Sequence, residues 1–314
     1  MDHVIRARRE RQAREYTGTS STAAGKQAGY QTNSCYVIVH PAPHIGSLEN
    51  QHMHEQPPVR LDVDADGIAT LTLNRPEQLN AFDLKMIEAW RAALEAAEAD
   101  ERVKVVVVTG AGRAFCAGGD FEEMARFSDM NGLERKNFLY RNVHRIPLAL
   151  ERMDKPVIAA INGAARGAGL DMALMCDMRF MARSATLAET YINIGLIAGD
   201  AGSWFLPRLI GTARALELFW SGRVVGAEEA ERIGMVNRSV PDADLLQVTY
   251  DFARTIASKP QEAVRFFRRA VYQSQAMTLG AHLDMVSSHM AVLEDLPEHR
   301  EGIAAFRNRT RTKQ

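Results

Sequence analysis

Two glycine-rich turns hold the residues whose types and spacing can do chemistry: Ala114-Phe-Cys-Ala-Gly-Gly-Asp120 and Asn162-Gly-Ala-Ala-Arg-Gly-Ala-Gly-Leu-Asp171. Each follows an apolar, β-like run (105–109 and 156–161) and leads into a stretch that reads as helix. Turns of this kind can aim unpaired backbone N–H groups at one spot, the arrangement that holds a developing oxyanion. Ala117 in the first turn and Ala168 in the second are placed to offer one N–H each. A helix beginning near Ala168 adds its positive end. Asp171 sits one helical turn past Ala168, so its carboxylate is expected to face the same cavity. An oxyanion site beside an acid/base group is machinery for making and quenching an enolate. A single turn of this type is explained by tight backbone geometry alone. Two in one chain, the second ending in a carboxylate, favour chemistry.

Other signatures are missing. No GxGxxG follows a strand, no GxxxxGK[ST] loop is present, and no GxSxG elbow occurs. These absences argue against dinucleotide, nucleoside triphosphate and common serine hydrolase sites.

The elements that must position the turns are legible from periodicity. Val59–Val63 and Ile68–Leu73 read as a strand pair joined by Asp66-Gly67, a hairpin dipeptide. Asp83 caps a helix in which Ile87, Trp90, Leu94 and Ala97 recur at helical spacing. Strands are expected at 103–109, 156–161, 179–182 and 185–188, with helices at 133–153 and 170–176. Beyond Gly202 the reading is nearly all helix: 203–210, 212–221, 227–233, 243–258, 260–275, 279–293 and 298–307. The chain shows no sequence repeat of fixed period. The fold class is α/β with a helical C-terminal region.

Residues 1–57 differ from the rest, with an arginine cluster (Arg6, Arg8, Arg9, Arg11, Arg14), a Ser/Thr/Gly/Gln stretch and five of the nine histidines. They read as a disordered or spurious extension, with Met53 as a start ahead of a well-patterned domain; acidic residues dilute any transit-peptide signal. His40, His44, His52 and His54 lack partners at a recognised ligand spacing, so no metal site is expected. The 314 residues are 46% hydrophobic and 25% charged with a net charge of −1, so no global field recruits nucleic acid or a membrane surface. Three dispersed cysteines (Cys35, Cys116, Cys176) fit a reducing, cytoplasmic setting better than a disulfide framework. No apolar run approaches the length of a membrane span.

The stretches Asn74-Arg-Pro-Glu-Gln-Leu-Asn-Ala81, Ala114-Phe-Cys-Ala-Gly-Gly-Asp120, Lys155-Pro-Val-Ile-Ala-Ala-Ile-Asn-Gly163 and Gly167-Ala-Gly-Leu-Asp-Met-Ala-Leu-Met-Cys-Asp177 carry a family resemblance. So do Ile194-Gly-Leu196, Leu209-Ile-Gly211 and Ala230-Glu-Arg-Ile-Gly-Met-Val236. From Val59 to Arg307 the chain resembles the crotonase (enoyl-CoA hydratase/isomerase) superfamily. The resemblance implies a crotonase-like spiral of ββα units over 58–258, and an oligomerisation region over 259–314 that builds a homotrimer or homohexamer. It also implies an acyl-coenzyme A thioester substrate, no separate cofactor, and Ala117 and Ala168 as oxyanion donors. Gln78, Leu79, Gly118, Gly119 and Asp120 match segments that wrap the coenzyme A, and Arg268 is a candidate at its adenine end.

The departures bear on the reaction. Hydratases of the family commonly hold water with two glutamates twenty residues apart, and those positions fall on Asp171 and Tyr191. With an ordinary pKa of about 10, tyrosine is a poor base at neutral pH, though it can donate a hydrogen bond. An aspartate at position 171 resembles the dienoyl-CoA isomerase branch. Asp200, in Gly199-Asp-Ala-Gly202, reads equally as a catalytic partner or as a loop-stabilising Asx turn. Glu189 would share a strand face with Tyr191 and reads as structural or solvated; Asp177 reads as a cap or as a partner of Arg179. Arg166 touches coenzyme A or is solvated or ion-paired. The implied activity is enoyl-CoA hydration or isomerisation. C–C hydrolysis, decarboxylation and binding without catalysis are the alternatives.

Overall fold

The computed structural model describes residues 56–311. The expectations for the N-terminal extension, the Met53 start and the early histidines lie outside the described residues.

Two sheets form the frame. The larger has six strands in the order β1-β2-β3-β5-β7-β10. Here β1 is Val59–Val63, β2 Ile68–Leu73, β3 Val105–Gly110, β5 Val157–Ile161, β7 Met178–Ala182 and β10 Arg238–Val240. β1 and β2 make the expected antiparallel hairpin, Val59 opposite Leu73, and the remaining neighbours are parallel. The hairpin is closed by Asp64, whose Oδ1 accepts the N–H groups of Asp66 and Ile68 at 2.9 and 2.8 Å. β3 and β5 are apolar and buried, as strands covered on both faces must be. β3 starts at Val105, not 103, because Val103 closes a turn on Asp100 (N–H to O, 3.0 Å).

The second sheet has the order β4-β6-β8-β9, built from Ala114–Cys116, Ala164–Arg166, Thr186–Ala188 and Val225–Gly226. Of these short strands, β4 and β6 lie inside segments that the sequence shows as turns, and β8 lies within the strand expected at 185–188. Their presence exposes a structural repeat. Each long strand of the first sheet (β3, β5, β7) is followed by a short strand of the second (β4, β6, β8), and helical chain comes next. This is the expected spiral of ββα units. The repeat has no sequence period because the connections differ so much: residues 117–156 separate the first two units and 167–177 the next two.

The helices are α1 Leu84–Ala99, α2 Phe121–Arg126, α3 Gly132–Phe138, α4 Arg145–Arg152, α5 Ala168–Leu174, α6 Gly202–Ile210, α7 Thr212–Ser221 and α8 Ala227–Arg232. α9 Leu245–Ala257, α10 Gln261–Ser274, α11 Leu279–Glu294 and α12 Pro297–Arg311 complete the chain. α1 is capped by Asp83, whose Oδ1 accepts the Met86 N–H at 2.8 Å, and its Ile87, Trp90, Leu94 and Ala97 are buried as the periodicity demands. The expected helix over 133–153 is broken into α3, a wide turn at Leu139–Val143, and α4. Pro147 is the reason: it has no N–H for the Val143 carbonyl, so the regular ladder cannot run through. His144, at the break, reaches across to the Gly199 carbonyl through Nε2 at 2.9 Å. Tyr191 sits on a 3-10 turn, Thr190–Ile194, and therefore shares no strand face with Glu189.

Candidate active site

Two asparagine-centred clamps hold the turns, one at buried Asn80 and one at half-buried Asn162. Asn80 accepts the Arg75 N–H on Oδ1 (2.9 Å) and donates from Nδ2 to the carbonyls of Ala111 and Ala114 (both 2.9 Å). Asn162 accepts the Gly110 N–H (3.0 Å) and donates to the Gly112 carbonyl (3.0 Å). The first turn is thereby tied to the Gln78-Leu79 segment on one side and to the second turn on the other. The two turns then touch directly. Gly118 has φ +99°, and a Cβ there would stand 2.9 Å from the Arg166 carbonyl and 3.6 Å from the Ala168 nitrogen.

The donors differ from expectation at one point. The Ala117 N–H is committed to the Leu79 carbonyl at 3.0 Å, so it cannot serve an oxyanion. Among the described residues, the N–H groups of Gly119, two positions on, and of Ala168 find no acceptor. Within the expected loop the unoccupied N–H is therefore that of Gly119, because the Leu79 carbonyl consumes that of Ala117, a choice that residue type does not reveal.

Behind the second turn lies a cluster of acids. Asp171, on the first turn of α5, is 0% exposed, Glu189 1% and Asp200 5%. The Tyr191 hydroxyl lies 2.7 Å from Asp171 Oδ2 and 3.1 Å from Asp200 Oδ2. The Asp200 N–H also points to Asp171 Oδ2, at 3.3 Å. This geometry depends on the start of α6. Ala201 is left-handed (φ +80°), a conformation that costs a non-glycine residue about 1–2 kcal/mol. At Gly202 a Cβ would fall 1.9 Å from Asp171 Oδ1, so no side chain fits there.

Burial pushes the Asp171 carboxyl up, against the Tyr191 hydrogen bond and the Gly202 N–H, which pull it down, while the Asp200 charge adds to the rise. Asp200 is raised by burial, opposed by Tyr191 and by His144. Burial and the neighbouring acids hold the Tyr191 hydroxyl protonated well above its ordinary range. A carboxyl raised toward neutrality is suited to taking and returning protons.

Residues 64–313 match the family model of enoyl-CoA hydratase/isomerase. The chain belongs to the enoyl-CoA hydratase/isomerase family. It is 37% identical over 267 residues to the probable enoyl-CoA hydratase EchA12 of Mycobacterium tuberculosis, covering 83% of this chain and 86% of that protein. It is 35% identical over 246 residues to 1,2-epoxyphenylacetyl-CoA isomerase of Escherichia coli, covering 76% and 92%. The crystal structure of an enoyl-CoA hydratase of Mycobacterium smegmatis matches with a TM-score of 0.76 at 31% identity, over 81% of this chain and 97% of that one. The fold is the crotonase fold, and the enzyme class is that of the enoyl-CoA hydratases and isomerases.

Within this crotonase-type enzyme several residues have other duties than expected. Arg268 is not free to meet coenzyme A. Its Nε lies 3.0 Å from both Asp177 oxygens, and its other nitrogens bond the Leu150 and Met153 carbonyls. Asp177 therefore pairs with Arg268, not with Arg179, whose guanidinium donates to the carbonyls of Met235 (2.9 Å) and Cys176 (2.6 Å). Arg166 is neither ion-paired nor free: it bonds the Thr186 carbonyl (2.6 Å) and hydroxyl (2.7 Å). Asp120 caps α2 through the Glu122 N–H (2.9 Å) and pairs with Arg75 (3.0 Å). Gln78 is exposed and Leu79 half-buried with φ +53°, at the rim of the first turn. Glu189 is not solvated. Of the two readings the sequence offers for it, structural or solvated, burial removes the second; neither that burial nor the clamp at Asn80 leaves a local sequence signal.

Among the described residues no group of three or more His, Cys, Asp or Glu side chains could hold a metal ion, and no helix is long and apolar enough to cross a membrane. A cleft of about 490 Å³ between α1 and α4, lined by Arg91, Glu95, Arg145 and Leu148 among others, contains none of the predicted site residues.

Proposed function

We propose that this family member isomerises an enoyl- or dienoyl-CoA thioester by carrying a proton between carbons, with Asp171 as the acid/base group. The Gly119 and Ala168 N–H groups receive the thioester oxygen as it becomes an enolate. The positive end of α5 adds to that stabilisation, and removing one such donor typically costs about 3–4 kcal/mol of transition-state stabilisation. The Asp171 carboxylate takes a proton from a carbon conjugated with the carbonyl, the C–H electron pair moves into the enolate, and the proton returns at another carbon. The loop 117–120 and Gln78-Leu79 border the coenzyme A. Asp200 and Tyr191 serve Asp171 as neighbours and not as a second base.

One observation carries this reading. The residue twenty positions after Asp171 is a tyrosine whose hydroxyl lies 2.7 Å from the Asp171 carboxylate, so it is engaged with the base and offers no second carboxylate to hold water. Hydration is the second reading, favoured by the name of the mycobacterial relative. The subunits assemble through α10 and α11, which bury no residue of their own within the chain and leave Phe267 73% and Leu279 73% exposed.

The test is incubation with a panel of enoyl- and dienoyl-CoA thioesters in deuterated water, followed by mass spectrometry. Deuterium at carbon with no added water is expected. Addition of water to every accepted substrate, without carbon exchange, would replace isomerisation by hydration.

A further inference from the structure

Glu189 has no part in the mechanism above, yet it lies in the most buried part of the site. It directly follows β8 and is 1% exposed. Its neighbours are fixed to the second glycine turn: the Ala188 carbonyl accepts the Gly167 N–H at 2.9 Å, and Thr190 Oγ1 would stand 3.1 Å from a Cβ at Gly167. Neither Glu189 oxygen receives an N–H or O–H from the described residues. Asp171 Oδ1 is likewise buried and without a donor among the described residues, and the two carboxyls act on each other's proton affinity. Two bare carboxylates in such contact repel in a medium that screens little. The contact becomes attractive only if one of them carries a hydrogen.

No other group supplies that hydrogen. Tyr191 has a single hydroxyl hydrogen and already faces both Asp171 and Asp200. The remaining groups acting on the cluster are Cys116 from β4, itself a buried thiol, and His144 ahead of α4, whose charge bears on Asp200. No arginine or lysine pairs with any of the three acids among the described residues.

We propose that Glu189 is a positioning residue that keeps a proton at neutral pH and donates it as a hydrogen bond to Asp171, holding Asp171 as the oriented carboxylate. The inference rests on Asp171 being the base. Burial, followed by the charge of Asp171, raises the proton affinity of Glu189 and so acts in the same sense. The pair then divides the labour: Glu189 stores a proton that never leaves the enzyme, and Asp171 exchanges protons with the substrate.

Infrared spectroscopy of the full chain at pH 7, with and without carbon-13-labelled glutamate, reads the stored proton without any substrate. A protonated-carboxyl C=O band that shifts with the label, and that Glu189→Gln removes, is expected. If unvaried protein shows no such glutamate band at pH 7, the proposal is overturned, whatever the variants do. Kinetics on an accepted thioester give the second readout. Glu189→Leu is expected to lower kcat about tenfold, the scale of one hydrogen bond to a charged group, with KM little changed. Glu189→Gln, which keeps an N–H for Asp171, is expected to recover most of that loss and to remove the alkaline limb of the kcat/KM profile. Equal losses in the two variants would overturn the donor role. Should Asp171→Asn turn over normally, the functional reading falls, while the infrared band still reports whether the proton is there.

Discussion

Asp171 and Asp177 lie six residues apart, one on the first turn of α5 and the other just past its end, and the chain treats them in opposite ways. Asp177 is compensated on every side. Arg268 Nε approaches both its oxygens at 3.0 Å, the Val157 N–H donates at 2.8 Å and the Tyr272 hydroxyl at 2.7 Å. Asp171 has a tyrosine, the backbone N–H groups of Asp200 and Gly202 and two further acids, with no cation paired to it among the described residues. Burying charge without a counter-charge is costly, and a group retained at that cost is a candidate for function. The comparison separates an acid that holds the fold together from one that the fold is arranged to hold.

The comparison breaks first at Asp171. Asp171→Asn keeps the shape and loses the base, so turnover is expected to fall by at least roughly 10²-fold, the low end for general acid–base catalysis, with substrate affinity nearly unchanged. Steady-state kinetics on an accepted thioester measure this, and unaltered turnover would remove Asp171 from the mechanism. The substitution should not weaken the fold, because it deletes a buried acid.

At Asp177 the effects invert. Asp177→Ala leaves the Arg268 guanidinium without its counter-charge against the Leu150 and Met153 carbonyls. Breaking a fully buried pair costs roughly 3–5 kcal/mol. With side chains 16% and 11% exposed, this pair sits at the partly screened edge of that class, and about 2 kcal/mol is expected. Urea unfolding measures the loss, and kcat of the folded variant should stay close to that of the parent. A variant as stable as the parent would show that Arg268 is held by the carbonyls alone.

How much of this contrast was legible beforehand follows from the kind of signal each part leaves. The hairpin, the buried strands β3 and β5 and the Asp83-capped helix α1 announce themselves through alternation, apolar runs and capping, which are local. β4 and β6 are three-residue strands that exist only because each pairs with the next across the turns, so no period of their own marks them, whereas β8 falls within the strand expected at 185–188. The two glycine turns and Asp171 stood out by residue type. The choice of Gly119 over Ala117 depends on a bond to Leu79, thirty-eight residues upstream of Ala117, and the pairing of Asp177 with Arg268 on one ninety-one residues downstream. Glu189 and Asp177 look alike as acidic residues near a turn. Only the tertiary environment, a second acid for one and an arginine for the other, tells them apart.

The smallest effect, and the one that tests the contrast without substrate, is the pH dependence of stability. Burial raises Asp171, Glu189 and Asp200 above their unfolded values. The folded chain therefore binds protons that the unfolded chain has released, and this contribution is fully present below the unfolded carboxylate range and fades as pH rises through the raised values. Asp154 behaves in reverse. Its ion pair with Arg269 lowers it, so its contribution is present above the unfolded range and is lost on acidification through the lowered value. Between pH 5 and pH 8 the cluster should then contribute a decline of stability with pH of at most about 1.4 kcal/mol per unit for each proton the folded state retains. Asp171→Asn removes one of those protons and should flatten the decline, gaining on the parent as the buffer becomes more alkaline. Parallel unfolding curves for parent and variant from pH 5 to pH 8 would mean that Asp171 titrates alike in both states, and that its isolation from any cation has no energetic consequence.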